Sequence, residues 1–201
     1  MLTLAIQSGG QSSRMGQDKG LLDFLGKPLI AQVMGRLAPL ADEVIVTTNQ
    51  PESYRFLGVP LFPDLKPGRG ALGGLYTALA SAGHPLVAVV ACDMPFASLA
   101  LLTHARDLLL NGADDLVVPA SGDGMYEPFH AVYRRETCLP AVAQAIESDQ
   151  WKLIAWYPQV KVRALTSEEL ARFDPHGLAF WNVNTPEELA LAKQRAREIG
   201  Y

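Results

Sequence analysis

The chain has 201 residues, of which 49% are hydrophobic and 19% are charged, and its formal net charge at pH 7 is −4. This length and composition are those of one ordinary globular domain, and they argue against intrinsic disorder. The mild negative charge predicts no nucleic-acid partner, because such a partner favours a basic face. A small anionic ligand stays compatible with it, since such sites depend on local charge.

Cysteine usage and apolar stretches argue against export and membrane insertion. The two cysteines, Cys92 and Cys138, are too few for a disulfide framework and lack metal-site spacing. The apolar stretch Leu2–Ile6 lacks the basic segment that precedes a signal sequence, and no apolar run reaches the ~18 residues of a membrane span. We therefore expect a cytoplasmic protein without a membrane partner.

Short β-rich runs alternate with longer helical segments in the first half of the chain. The predicted strands are Leu2–Ile6, Glu43–Thr48, Val59–Phe62 and Leu86–Cys92. The predicted helices are Pro28 to about Leu40, Leu72–Ala82 and Ser98–Leu110. The fourth strand is apolar throughout, which is typical of a strand buried on both faces of a parallel sheet.

The second half is less regular, but it continues the alternation. The pattern predicts strands at Asp115–Pro119, Phe129–Arg134 and Val160–Leu165, and helices at Cys138–Glu147 and Pro186 to about Ile199. Thr185 and Glu188 supply the cap and the capping box of the last helix. The alternation predicts an α/β fold, a three-layer α/β/α sandwich with a mostly parallel, Rossmann-like sheet. Neither a repeat nor a linker interrupts it, so we expect a single domain over residues 1–201.

A glycine-rich, basic segment follows the first predicted strand. It runs from Ser8 to Lys19 and reads Ser-Gly-Gly-Gln-Ser-Ser-Arg-Met-Gly-Gln-Asp-Lys. Ligands of open α/β sheets bind beyond the carboxyl ends of the strands, and glycines let backbone N–H groups approach a phosphate closely. The spacing matches neither the dinucleotide-binding fingerprint nor the P-loop. The segment therefore predicts an anion site, with a solvated surface turn as the alternative.

Polar residues follow other predicted strands as well. Asp93 comes directly after the buried fourth strand, where a carboxylate suits a hard cation such as Mg²⁺ or, alternatively, caps the next helix. Asp64 follows the third strand, and several glycines then open a helix whose N-terminus favours an anion. Asn182 and Asn184 are two residues apart, so on a strand they would share one face and hold a second substrate or complete a metal site.

Four segments together resemble the molybdenum cofactor guanylyltransferases, a family of the nucleotidyltransferase superfamily. They are Gly-Gly-x-Ser-x-Arg-Met-Gly-x-Asp-Lys, ending at Lys19, Gly-Arg-Gly-Ala-Leu-Gly-Gly from Gly68, Cys-Asp-Met-Pro around Asp93, and Asn-Val-Asn-Thr-Pro-Glu from Asn182. The middle segment from Glu127 is similar as well, so the resemblance covers nearly the whole chain. The chain departs from the family at three places. Gln7-Ser8 stands where the family usually has Leu-Ala, and Ala71 stands where it usually has proline. Thr47 stands where some members have an asparagine that contacts the nucleotide.

The resemblance implies a fold of the nucleotidyltransferase type, with a nucleotide-binding half at about 1–97 and an acceptor-binding half at about 98–201. It implies transfer of GMP from GTP to molybdopterin or the molybdenum cofactor, with Mg²⁺ as cofactor, and it allows molybdoenzyme or chaperone partners. The implied catalytic residues are Arg14, Lys19 and Asp93. The implied nucleotide-binding residues are Gln7, Ser8, Gly9, Gly10, Lys19, Asp64 and Asp93. Asn182 and Asn184 are the implied acceptor contacts, and Asp93 is the implied metal ligand.

Two alternatives stay open at this point. The first is another enzyme of the same fold, either a cytidylyltransferase for the same pterin or a sugar-phosphate nucleotidyltransferase. The cytidylyl branch usually reads Ala-Ala-Gly where this chain has Ser-Gly-Gly. The second is a nucleotide-binding module that has lost catalysis. The presence of Lys19, Asp93 and both asparagines argues against that loss.

Overall fold

A computed structural model describes residues 1–9, 18–120 and 125–201. Its strands are β1 (Leu2–Gln7), β2 (Asp23–Phe24), β3 (Lys27–Pro28), β4 (Glu43–Thr47), β5 (Leu61–Phe62), β6 (Leu86–Ala91), β7 (Leu116–Pro119), β8 (His130–Arg134) and β9 (Val162–Leu165). Strands β2 and β3 form a short hairpin, and the other seven form one sheet in the order β5-β4-β1-β6-β8-β7-β9. Only β8 pairs antiparallel with its neighbours in this described sheet, so the sheet is mostly parallel.

Helices cover both faces of the sheet. They are α1 (Leu29–Leu37), α2 (Pro51–Tyr54), α3 (Gly70–Ser81), α4 (Leu99–Asn111), α5 (Arg135–Glu147), α6 (Ser167–Phe173) and α7 (Pro186–Glu198). Apolar residues of α1 and α4 pack on one face of the sheet, while those of α3 and α5 pack on the other. The predicted three-layer α/β/α sandwich is therefore confirmed. None of the helices described is long and apolar enough to cross a bilayer.

Most predicted elements are present, with small differences at their ends. The predicted strand Val59–Phe62 shortens to β5, because Pro60 has no N–H to donate and contributes only its carbonyl, to the amide of Val46. The hairpin of β2 and β3 and the short helices α2 and α6 were not expected, since each is too short for a clear hydrophobic period. The capping box of α7 is confirmed, because Glu188 N donates to Thr185 Oγ1 while Thr185 N donates to Glu188 Oε2.

Candidate functional site

Three polar side chains from distant parts of the chain meet at the carboxyl edge of the sheet. The ammonium Nζ of Lys19 lies 3.0 Å from Asp93 Oδ2 and 2.6 Å from Asn184 Oδ1. The Lys19 and Asp93 side chains are 21% and 17% exposed, so the pair is partly buried yet open on one side. These residues are the centre of the candidate site.

Local structure fixes each member of this group. Lys19 begins a one-turn 3-10 helix whose cap, Asp18, accepts a hydrogen bond from Gly20 N at 3.1 Å. Asp93 follows β6, and its carbonyl accepts a hydrogen bond of 2.9 Å from Val183 N. That bond ties the segment carrying Asn184 directly to the backbone of Asp93.

An aromatic cluster packs close to the same three chain segments. Phe24 follows the Lys19 turn, Phe96 lies three residues after Asp93, and Trp181 lies three residues before Asn184. The Phe24 and Phe96 rings meet edge to face at 6.2 Å, and the Phe96 and Trp181 rings lie 5.8 Å apart. Such contacts favour one relative arrangement of the segments. The apolar cluster thus holds together the polar groups of Lys19, Asp93 and Asn184.

Ser8 is attached to the scaffold by both its backbone and its side chain. Its N–H donates to Thr47 O at 2.9 Å, and its hydroxyl lies 2.6 Å from the Tyr54 hydroxyl. Ser8 and Tyr54 are 3% and 0% exposed, and burial raises the pKa of the Tyr54 hydroxyl far above its ordinary value. The next residue, Gly9, is exposed, and nothing lies within 4 Å of the position a Cβ would occupy. The backbone open to a ligand therefore begins at Gly9.

The backbone and the side chain of Asp64 both form hydrogen bonds with Asn49. Its backbone N donates to Asn49 Oδ1, and Asn49 Nδ2 donates to Asp64 Oδ2, both at 2.9 Å. The next amide, Leu65 N, donates to Thr77 Oγ1 on α3 at 3.0 Å. This pairing fixes the Asp64 carboxylate, and the bond from Leu65 N attaches the same segment to α3. Asn49 therefore has a structural role in positioning Asp64.

The structure separates the two asparagines that were expected to share a strand face. Residues 180–184 form no strand, and Asn182 Nδ2 donates to the carbonyl of Phe180 at 3.1 Å. The expected strand alternation was wrong, because this segment is attached to the Asp93 carbonyl by one hydrogen bond and joins no ladder. Asn184 alone reaches Lys19. Gly10 and Arg14 lie outside the described residues.

The donor set around Asp93 suits a hard cation. Asp93 Oδ2 and Asn184 Oδ1 both face Lys19 Nζ, so two oxygens already surround one positive centre. Mg²⁺ takes such oxygens together with phosphate oxygens and water, and rarely needs a cage built only from protein groups. The described residues contain no cluster of three His, Cys, Asp or Glu side chains that could hold a metal ion. The residues present thus fit Mg²⁺ bound together with a phosphate ligand.

Cys92, which precedes Asp93, is a buried thiol with the environment of an unreactive cysteine. Burial, and after it the charge of Asp93, raises the pKa of the Cys92 thiol to about 12. The thiolate is the reactive form of cysteine, and it is negligible at neutral pH for such a group. Cys92 is a free, buried cysteine that packs as a small hydrophobic residue.

Sequence reasoning did not find Tyr54 as a member of the site. Its partner Ser8 lies 46 residues away, and the sequence around Tyr54 contains no motif of the site. The only available signal was the serine itself, because a buried hydroxyl requires a partner from somewhere in the fold.

Comparisons with known proteins identify sequences and structures that are similar to this chain. The family model of the MobA-like NTP transferase domain matches residues 4–162. A probable molybdenum cofactor guanylyltransferase of Peptoclostridium acidaminophilum is 34% identical over 198 residues, covering 96% of this chain and 89% of that protein. The corresponding protein of Pelotomaculum thermopropionicum is 36% identical over 194 residues, covering 96% of this chain and 93% of its own.

Solved structures have the same architecture. Molybdopterin-guanine dinucleotide biosynthesis protein A from Archaeoglobus fulgidus superposes with a TM-score of 0.83 at 25% identity, covering 98% of this chain and 99% of that chain. The 4-diphosphocytidyl-2C-methyl-D-erythritol synthase from Anaerococcus prevotii has a TM-score of 0.71 at 12% identity, with 98% of each chain covered. The second similarity concerns the fold alone.

Proposed function

The chain belongs to the MobA-like NTP transferase family, and from this premise we propose that it transfers GMP from GTP to the terminal phosphate of molybdopterin or the molybdenum cofactor. An oxygen of the acceptor phosphate attacks the α-phosphorus of GTP. The bond from that phosphorus to the bridging oxygen breaks, and pyrophosphate leaves. Because a phosphate oxygen is already a nucleophile, the reaction needs neither a covalent enzyme intermediate nor a strong general base.

The observation that carries the proposal is the convergence of Lys19, Asp93 and Asn184. Phosphoryl and nucleotidyl transfer depend chiefly on positioning and on neutralising phosphate charge. Lys19 provides a positive charge at the carboxyl edge, within 3.0 Å of Asp93. In the nucleotide complex this ammonium turns from the carboxylate to the triphosphate, and Arg14 adds a second positive charge there.

We propose that Asp93 and Asn184 hold Mg²⁺ through the two oxygens that now face Lys19. When bound, the ion supplies neutralisation and orientation of the phosphate oxygens. Gly9 and Gly10 offer backbone N–H groups to the nucleotide, and Ser8 keeps that backbone in place through Tyr54. Asp64, whose carboxylate is fixed by Asn49, is proposed as a further nucleotide contact.

The acceptor is proposed to approach from the side of residues 180–184. Asn184 lies between Lys19 and the start of α7, where Glu188 Oε2 accepts a hydrogen bond from its backbone N at 2.5 Å. Asn182 Nδ2 donates to the Phe180 carbonyl of its own segment, which leaves its Oδ1 and its second N–H for an acceptor. Asn184, which contacts Lys19, is the stronger candidate of the two asparagines for the site.

Pyrophosphate release with GTP, molybdopterin and Mg²⁺ tests the proposal directly. We expect Asp93→Ala to lower the rate by at least about 10²-fold, the loss typical of removing an electrostatic catalytic group. Asp107→Ala is the matched control, because Asp107 lies on α4 and pairs with Arg106. Wild-type rates in Asp93→Ala would remove the metal assignment. Faster release with CTP than with GTP would replace guanylyl transfer by cytidylyl transfer.

A further inference from the structure

The segment that carries Asp93, residues 93–98, lies between β6 and α4, and its residues belong to neither a helix nor a strand. We call this segment the Asp93 turn. Because its backbone joins no ladder, its position depends on individual hydrogen bonds. One of these bonds comes from Tyr201, whose hydroxyl donates to the carbonyl of Pro95 at 2.5 Å. A residue that follows α7 is thus attached to the backbone two positions after Asp93.

The ring of Tyr201 contacts both chain segments whose side chains pair in the candidate site. It meets Phe96, in the Asp93 turn, edge to face at 5.6 Å, and Phe24, in β2, edge to face at 5.8 Å. Phe24 lies five residues after Lys19, and both phenylalanines belong to one buried cluster. Edge-to-face contacts of this kind favour one relative arrangement of the rings. Tyr201 therefore fixes the Asp93 turn against the segment that begins at Lys19.

Arg36, on α1, supports the same arrangement from the other side of the Tyr201 ring. Its guanidinium lies 4.6 Å from the centre of that ring, and its Nε donates to the carbonyl of Ala97 at 3.0 Å. A cation over an aromatic face is attracted by the negative charge density of the ring. Burial raises the pKa of the Tyr201 hydroxyl above its ordinary value, so the hydroxyl keeps its proton and donates. Tyr201 and Arg36 thus hold two carbonyls of the Asp93 turn.

The residues proposed to hold the nucleotide-side backbone are anchored on other elements. Ser8 is held by Tyr54 in α2, and Asp64 is held by Asn49, which follows β4. A change at Tyr201 therefore acts on the position of the Asp93 turn and leaves these anchors in place. Such a change is expected to affect the rate of the chemical step more than the affinity for the nucleotide.

We infer that Tyr201 and Arg36 are positioning residues for nucleotidyl transfer, an inference that rests on the proposed function. They act through the backbone of the Asp93 turn and not through contact with a substrate. Their bonds keep the Asp93 carboxylate and the Lys19 ammonium where the reaction needs them, 3.0 Å apart in the structure. Catalysis by positioned charges depends on such accuracy, because a displacement of about 1 Å can cost ~10²-fold in rate.

Pyrophosphate release with GTP, molybdopterin and Mg²⁺ measures the effect on catalysis. We expect Tyr201→Phe, which removes only the hydroxyl, to lower kcat roughly threefold to tenfold, the effect of one hydrogen bond. The KM for GTP should change by less than about twofold, because the lost interaction acts on the transition state. Arg36→Leu should act in the same direction and less strongly, because the Arg36 side chain is exposed.

Arg135→Leu is the matched control for these variants. Arg135 Nε donates to the carbonyl of Leu79 at 2.9 Å, so its replacement removes the same kind of bond as Arg36→Leu. Arg135 N also donates to the carbonyl of Pro85, which places the residue at the amino end of β6, opposite the Asp93 turn. This control should lower the melting temperature and keep the wild-type kcat.

Hydrogen exchange in the protein without ligands gives a readout that does not depend on activity. The amide of Val183 donates to the carbonyl of Asp93, so its exchange rate reports how firmly the Asp93 turn is held. We expect Tyr201→Phe to speed exchange at this amide roughly threefold to tenfold, because local opening becomes easier when one bond is lost. The control variant should leave this exchange rate unchanged.

The outcomes separate this inference from the function on which it rests. A lower kcat with faster Val183 exchange in Tyr201→Phe, and neither change in Arg135→Leu, supports the inference. Wild-type kcat in Tyr201→Phe, unchanged exchange, or an equal loss in the control overturns the inference and leaves guanylyl transfer intact. A wild-type protein that releases pyrophosphate faster with CTP overturns the proposed function instead, and the same comparison of kcat with CTP still tests Tyr201.

Discussion

Replacing Tyr54 by phenylalanine tests how the nucleotide-side backbone is held. The change removes one hydroxyl from a pair whose oxygens lie 2.6 Å apart, and it leaves the Ser8 hydroxyl in the interior without that partner. An unpaired buried hydroxyl costs roughly 1–3 kcal/mol of unfolding free energy. For a chain of this length each kcal/mol corresponds to about 2–4 °C in melting temperature. We therefore expect Tyr54→Phe to melt several degrees below the wild type.

The double variant Ser8→Ala/Tyr54→Phe should recover most of this loss. Removing both polar atoms leaves no unpaired group, and the remaining surfaces are apolar and similar in shape. Ser8→Ala alone should cost less than Tyr54→Phe alone, because the Tyr54 hydroxyl also interacts with the Asp18 side chain. A double-mutant cycle from urea unfolding, followed by circular dichroism and tryptophan fluorescence, measures the coupling.

Tyr76 on α3 provides the control variant for Tyr54→Phe. Tyr76→Phe removes a hydroxyl from a partly exposed tyrosine on α3 that makes no hydrogen bond within the described part of the chain, so its effect should stay within about 0.5 kcal/mol. If the two single changes add up in the double variant, Ser8 and Tyr54 are not energetically coupled. The view of Ser8 as a residue anchored through Tyr54 would then be wrong.

Two further predictions concern α3 and the helix cap of α4. The Gly73→Ala variant should be less stable than the Gly74→Ala variant by about 1–2 kcal/mol in urea unfolding. A Cβ at position 73 would lie 2.7 Å from the backbone oxygen of Lys66, which cannot move easily. A Cβ at position 74 would collide with the end of the Gln7 side chain, which can move. Burial lowers the pKa of His130 to about 4 from 6.5, while its Nε2 accepts a hydrogen bond from Ser98 N. The unfolded chain takes up this proton first, so stability is complete above pH 6.5 and declines by about 3 kcal/mol as the pH falls to 4. The pH dependence of urea unfolding in His130→Gln should lack this component, and an unchanged dependence would contradict the assignment.

Much of the fold follows from local sequence patterns. Apolar runs with strand or helix periodicity predicted the main strands and helices to within a few residues, and Thr185 with Glu188 predicted the start of α7 from its capping box. The glycine-rich segment and Asp93 were likewise predicted as site residues, because both follow strands at the edge where ligands bind. These features depend on interactions between residues close in the chain, which the sequence displays directly.

Only the tertiary structure decided which side chains distant in the sequence contact one another. Lys19 meets Asp93 across 74 residues and Asn184 across 165 residues, and Ser8 meets Tyr54 across 46. Asn182 and Asn184, equivalent in the sequence, have different partners because the backbone of Val183 bonds to Asp93 instead of joining a strand. Likewise, Gln7 and Thr47 became neighbours only through the register of β1 and β4. The sequence by itself therefore determined which polar residues lie near strand ends. The tertiary structure decided which of those residues meet, because strand register and packing depend on how the whole core forms.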